Sequence, residues 1–175
     1  MTDASRELIL GGARSGKSAL AVRLAQASGA AVRLVVTATA DDAEMAERIA
    51  RHRAARPATW RVVEAPTALA AALRAECAAD RIVVVDCLTL WLANLVLAPE
   101  LLERERAALL EALPALPGRV LLVANEVGQG IVPENALARR FRDEQGALNQ
   151  AVAAACQRVV LVAAGIPLVL KGPPL

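Results

Sequence analysis

Short apolar runs alternating with helix-period segments predict an α/β layered domain on a mostly parallel sheet. Two observations give that class its form. Several runs, such as Ile82-Val83-Val84-Val85, are β-branched without polar alternation, as in strands covered on both faces. The first run, Leu8-Ile9-Leu10, leads through a glycine-rich segment, GGARSGKS at 11–18, into a helical pattern. A chain of 175 residues suits one domain, 1–175, with a sizeable core. No internal repeat, low-complexity tract or linker interrupts it, and Pro114-Ala-Leu-Pro117-Gly118 reads as a turn.

Strands are predicted at 7–10, 33–37, 60–63, 81–86, 119–124 and 158–163. Between them lie helices at 17–28, at 42–55 (rich in Ala, Glu and Arg) and at 68–79, with Thr67 as the N-cap. Helices at 88–98 and 100–113 flank Pro99. The last helix begins after Pro133 and runs toward Cys156, with Leu137, Phe141, Leu148, Val152 and Cys156 forming a core-facing stripe. Val159 to Leu170 is the longest apolar stretch; it contains Gly165 and Pro167 and is too short to span a bilayer.

Composition excludes several functions. Twenty basic and 18 acidic residues leave a net charge of +2, too even for a general polyanion binder. The only aromatics are Trp60, Trp91 and Phe141, few platforms for stacking bases. A nucleic-acid partner is therefore not expected. Cys77, Cys87 and Cys156 are odd in number, widely spaced and lack C-x-x-C spacing, as expected for buried free thiols in a reducing compartment. The polar start MTDASRE lacks a signal-peptide apolar region. These features predict a cytoplasmic protein.

Gly11, Gly16, Lys17 and Ser18 fit G-x-x-x-x-G-K-[ST], preceded by a strand and followed by a helix. Glycines let the loop wrap closely, so its amides and the helix N-terminus face phosphate oxygens. Lys17 then supplies charge to the β- and γ-phosphates and Ser18 a hydroxyl to Mg²⁺. The expected fold is accordingly a P-loop NTPase-type three-layer α/β domain. In such sheets ligands gather beyond the carboxyl ends of the strands. Asp86 ends one strand, placed either to hold Mg²⁺ or to cap the next helix. His52, the only histidine, lies between Arg48 and Arg56 at helical spacing. Those cations favour a neutral imidazole and attract phosphates, so His52 is either a nucleophile beside bound phosphate or part of a solvated arginine-rich face. Glu64 ends a strand, either accepting hydrogen bonds from a base or ribose or simply exposed. Asn125–Pro133 either closes on a substrate or merely connects.

In order along the chain, GGARSGKS, the segment Thr37 to Met45, RIARHRAARP with Trp60 and Glu64 after it, DCLTLWLANL and NEVGQGIVPENALARRFRDEQGALNQ closely resemble the bifunctional adenosylcobinamide kinase/adenosylcobinamide-phosphate guanylyltransferase family of cobalamin biosynthesis. The resemblance implies two reactions: ATP or GTP phosphorylates the aminopropanol hydroxyl of adenosylcobinamide, and GMP from GTP passes through a histidine to adenosylcobinamide phosphate, giving adenosylcobinamide-GDP. His52 matches the guanylylated histidine, with Lys17 also catalytic. Nucleotide contacts are implied at Gly11, Gly12, Ala13, Arg14, Ser15, Gly16, Lys17, Ser18, Thr37, Ala38, Thr39, Arg53, Ala54, Ala55, Arg56 and Glu64. Mg²⁺ ligation is implied at Ser18 and Asp86, and trimeric assembly by related enzymes. The chain departs from the family in carrying Arg51 where a second histidine often stands, and residues 96–118 carry no signature. A plain P-loop small-molecule kinase and a nucleotide-gated interaction module are the alternative readings of the loop.

Overall fold

A computed structural model describes residues 5–39, 47, 57 and 59–175. Seven strands form one sheet: β1 (Ser5–Gly11), β2 (Ala31–Val36), β3 (Arg61–Glu64), β4 (Arg81–Asp86), β5 (Arg119–Asn125), β6 (Arg158–Ala163) and β7 (Ile166–Lys171), in the order β3-β2-β4-β5-β1-β6-β7. All neighbours are parallel except β6 and β7, which are antiparallel. The described helices are α1 (Lys17–Ala27), α2 (Leu69–Glu76), α3 (Leu88–Leu95), α4 (Pro99–Ala112), continued by a 3₁₀ turn at Leu113–Ala115, and α5 (Ala136–Ala155). The predicted helix at 42–55 lies outside the described residues.

Alternation along the strands builds two cores. Ile9, Ile82, Val84, Leu121 and Val160 pack with Leu20, Ala21 and Ala25 of α1 on one face. Leu8, Val83, Val85, Val120 and Leu122 pack with Leu73, Trp91, Leu109, Leu148 and Val152 from the other helices on the opposite face. The central strands are thus buried on both sides, which is why their sequences are continuously apolar. All three cysteines are free and buried.

Three local expectations change. Thr67 does not cap α2: the helix starts at Leu69 after Ala68, without a side-chain cap. The Thr67 carbonyl instead accepts the Trp91 indole N–H at 2.6 Å and the Leu69 N–H at 2.9 Å. Leu137 is exposed, whereas Leu148, Val152 and Cys156 of the same stripe are buried; α5 engages the core only beyond its first turns. Its N-cap is Asn135, whose side chain accepts from the Leu137 and Ala138 amides. Finally, the strand expected at 158–163 is present as β6 and is followed by one that was not expected: the chain turns at Ala164 and Gly165, both at positive φ, and β7 returns beside β6 as a hairpin. Pro167 is tolerated because β7 is an edge strand.

The arginines on the strands anchor the end of the sheet opposite the glycine-rich loop. Glu7, buried on β1, accepts from Arg119 Nε and from Arg158 Nε at 2.7 Å. Arg6 donates to the carbonyls of Leu113 and Gly118, both at 2.7 Å.

Candidate active site

The register aligns the carboxyl ends of five strands along one edge: Val36 pairs with Asp86 and with Glu64, and Gly11 with Asn125. Gly11 ends β1 and 12–16 form the turn into α1. An added Cβ on Gly11 would lie 2.6 Å from the Val162 carbonyl oxygen, so only glycine fits there. Arg14 (φ 56°) and Gly16 (φ 98°) are left-handed, giving the loop the backbone curvature of an anion-binding nest. Gly12, Ala13 and Arg14 form its exposed lip. α1 has no side-chain cap and no acid in its first turn, so its amides and dipole face an incoming anion without competition. Ser15 Oγ is buried without a protein partner, a polar atom placed for a ligand oxygen.

Lys17 is 8% exposed and its Nζ donates to the Gly12 carbonyl at 2.9 Å, spanning the loop. Ser18 Oγ, in the first turn of α1, lies 3.5 Å from Asp86 Oδ1, although β5 separates β4 from β1, the strand that leads into α1. A hydroxyl and a carboxylate beside a phosphate loop are the hard oxygen donors Mg²⁺ takes from protein, its other positions going to phosphate and water. The residues present therefore fit that ion. Among the described residues no cluster of three or more His, Cys, Asp or Glu could hold a metal.

Thr37 is brought to this edge but faces inward: its hydroxyl donates to the Cys87 carbonyl at 2.7 Å and accepts the Cys87 amide at 3.1 Å. It braces the backbone next to Asp86. Ala38 and Thr39 follow it, half-buried. Glu64 is exposed at the end of β3, four strand spacings from β1, or about 19 Å. His52, Arg53, Ala54, Ala55 and Arg56 lie outside the described residues.

Four supporting residues had no assigned role at the level of sequence. Asn94 donates to the Thr37 carbonyl at 2.8 Å. Thr89 Oγ1 accepts the Asn125 amide at 2.7 Å, and Asn149 donates to the Asn125 carbonyl at 3.2 Å. Gln145, fully buried, donates to Asn149 at 2.8 Å. The available signal was polar residues at helical spacing on otherwise buried faces. Asn94 thus ties down the segment after β2, while Thr89, Asn149 and, through it, Gln145 hold the end of β5, whose next residue, Glu126, donates its amide to the Gly11 carbonyl at 3.1 Å. Burial pushes up the pKa of the Cys87 thiol, and the charge of Asp86 adds to the effect; Cys87 is a packed thiol here.

The chain is similar to known proteins in fold and in sequence. Structurally, the chain is similar to the flagellar accessory protein FlaH of Methanocaldococcus jannaschii, with a TM-score of 0.53, 13% identity and coverage of 98% of this chain and 80% of that one. A Pyrococcus horikoshii OT3 protein matches with a TM-score of 0.58 and 10% identity, over 99% and 89% of the two chains. Likeness at that identity concerns the fold alone. In sequence, the chain is 59% identical over 172 residues to the bifunctional adenosylcobalamin biosynthesis protein CobP of Pseudomonas aeruginosa, covering 97% of this chain and 99% of that one. It is 41% identical over 181 residues to CobU of Salmonella typhimurium, named for the same bifunctional role, covering 94% and 98%. Residues 7–170 match the sequence model of one family of enzymes. The chain belongs to that family, cobinamide kinase / cobinamide phosphate guanyltransferase.

Proposed function

We propose that this enzyme phosphorylates the aminopropanol hydroxyl of adenosylcobinamide with ATP or GTP, and then transfers GMP from GTP through His52 to adenosylcobinamide phosphate. The observation that carries this reading is the family match over 7–170 joined to the loop at 11–18. The loop amides, the α1 N-terminus and Lys17 hold the triphosphate and stabilise charge developing on it. Mg²⁺, held by Ser18 and Asp86, would neutralise the phosphates and the departing pyrophosphate. In guanylyl transfer, a neutral His52 nitrogen bonds to the α-phosphorus as its bond to the pyrophosphate oxygen breaks. A phosphate oxygen of adenosylcobinamide phosphate then attacks the same phosphorus, releasing the imidazole. Arg53, Ala54, Ala55, Arg56, Thr37, Ala38, Thr39 and Glu64 complete the nucleotide site in this reading. Assembly as a homotrimer belongs to it by resemblance, and a cytoplasmic location by the widely spaced cysteines, odd in number, that suit a reducing compartment.

The test is incubation with Mg²⁺ and GTP labelled at the α-phosphate, alongside γ-labelled GTP and the His52→Ala variant. The expected result is protein-bound label from the α position only, labile to acid, stable to alkali and absent in the variant. A folded protein that binds GTP but takes up no label overturns the covalent route and leaves a simple kinase.

A further inference from the structure

We infer that Glu126 is the general base of the phosphorylation step and has no proton to move in guanylyl transfer. The inference rests on the function proposed above and deepens it. Only one of the two reactions begins from a nucleophile that must lose a proton. An aliphatic hydroxyl is protonated at neutral pH, whereas imidazole attacks as the free base and a phosphate monoester has a second pKa of about 6. A base acting on the hydroxyl is therefore dispensable for the second reaction.

Among the acids along the strand ends, position selects Glu126. Asp86 lies beside Ser18 at the cation position. Glu64 stands four strands from the loop. Glu126 directly follows β5, the immediate neighbour of β1, and its amide is tied to the Gly11 carbonyl at 3.1 Å. The residue before it is clamped on both sides of its backbone, by Thr89 and by Asn149. The carboxylate is itself held: Oε1 accepts the Gly128 amide at 2.7 Å. Glu126 is partly buried, while Gly128, Gln129 and Gly130 beyond it are exposed. A carboxylate on a residue whose backbone is tied to the start of the phosphate loop, with a second oxygen besides the one bonded to Gly128, meets the positional requirement of general-base catalysis. In the step, the substrate hydroxyl proton passes to Glu126. The hydroxyl oxygen bonds to the γ-phosphorus as the bond from that phosphorus to the bridging oxygen breaks, and the nucleoside diphosphate leaves with the electron pair.

Glu126→Gln separates the base from its structural role, because the amide oxygen can still accept the Gly128 N–H. Two assays are run on wild type and variant: phosphate transfer from γ-labelled ATP to adenosylcobinamide, and GMP transfer from α-labelled GTP to presynthesised adenosylcobinamide phosphate. The kinase kcat should fall about 100-fold or more, with the residual rate rising with pH as hydroxide replaces the base. Guanylyl transfer should stay within about threefold of wild type, well short of the loss expected for a missing base. Kinase activity retained in Glu126→Gln, or both activities lost together in a folded variant, overturns the inference. Absence of either activity in the wild-type enzyme would instead count against the proposed function.

Discussion

Replacing Gly11 by alanine puts a methyl carbon 2.4 Å from Ser15 Oγ and 2.6 Å from the Val162 carbonyl oxygen. The serine can rotate away. The carbonyl cannot, because Val162 lies in β6 and pairs with Gly11 itself across the β1–β6 ladder. Relief requires the strands to part at the mouth of the phosphate loop, where Gly11 also pairs with Asn125 of β5. Overpacking of this kind costs about 1–3 kcal/mol, which for a chain of this length lowers Tm by roughly 2–12 °C. Gly12 is the control. An added Cβ there meets nothing within 4 Å, so Gly12→Ala should stay within about 0.5 kcal/mol of wild type. Both variants should bind GTP more weakly, the first because the loop is deformed and the second because its methyl group stands on the exposed lip. Urea denaturation without nucleotide, with the m-value checked, measures the stabilities; GTP titration measures the binding. A Gly11→Ala protein as stable as wild type, or a Gly12→Ala protein as damaged as Gly11→Ala, would refute the assignment of the cost to the Val162 carbonyl.

Gly118→Ala should destabilise more, by about 3 kcal/mol or more, since φ is +70° and the new Cβ would lie 2.1 Å from the Ala78 carbonyl oxygen; a soluble variant with an unchanged denaturation midpoint counts against this. Glu7→Gln removes the charge that two arginines share, and should cost about 3 kcal/mol, the low end for a broken buried pair because both guanidiniums keep some exposure. Its kcat and KM, measured on folded enzyme, should be unchanged, because Glu7 lies toward the opposite end of β1 from Gly11. Burial raises the Cys77 thiol from 9.0 to about 11 and the Cys156 thiol to about 12. The folded state keeps both protonated where the unfolded chain ionises, so stability is full below about pH 9 and falls as pH rises toward 11 to 12, by up to about 1.4 kcal/mol per pH unit per thiol. Denaturation midpoints across that range should show a shallower slope in Cys156→Ala than in wild type; an identical slope would remove the thiol from the account.

The phosphate loop was legible because its requirements are local. Gly11 and Gly16 answer to backbone geometry within a few residues, and Lys17 and Ser18 follow at a fixed covalent distance. The parallel strands were legible because burial on both faces leaves a continuous apolar run such as 82–85. β7 was not, since Pro167 reads as a breaker and Ala164 in a left-handed turn carries no sequence signal; only pairing with β6 makes the segment a strand. The same limit applied to the helix stripe, where Leu137 keeps the helical period yet extends past the core.

The site divides along the same line. Residue types and their place at strand ends, including Asp86 and the segment after Asn125, follow from the one-dimensional pattern. Which of them meet does not. Ser18 reaches Asp86 because the sheet order places β4 two strands from β1, and Glu64 stands apart because the same order carries β3 to the far edge. Thr37, Thr89, Asn94 and Asn149 find partners 50, 36, 57 and 24 residues away. Covalent geometry and burial set local periods, so the sequence by itself determined the phosphate loop and the described elements other than β7. Strand order and long-range polar pairing arise only when the separate faces pack, so the tertiary structure alone decided that Glu126 lies against Gly11.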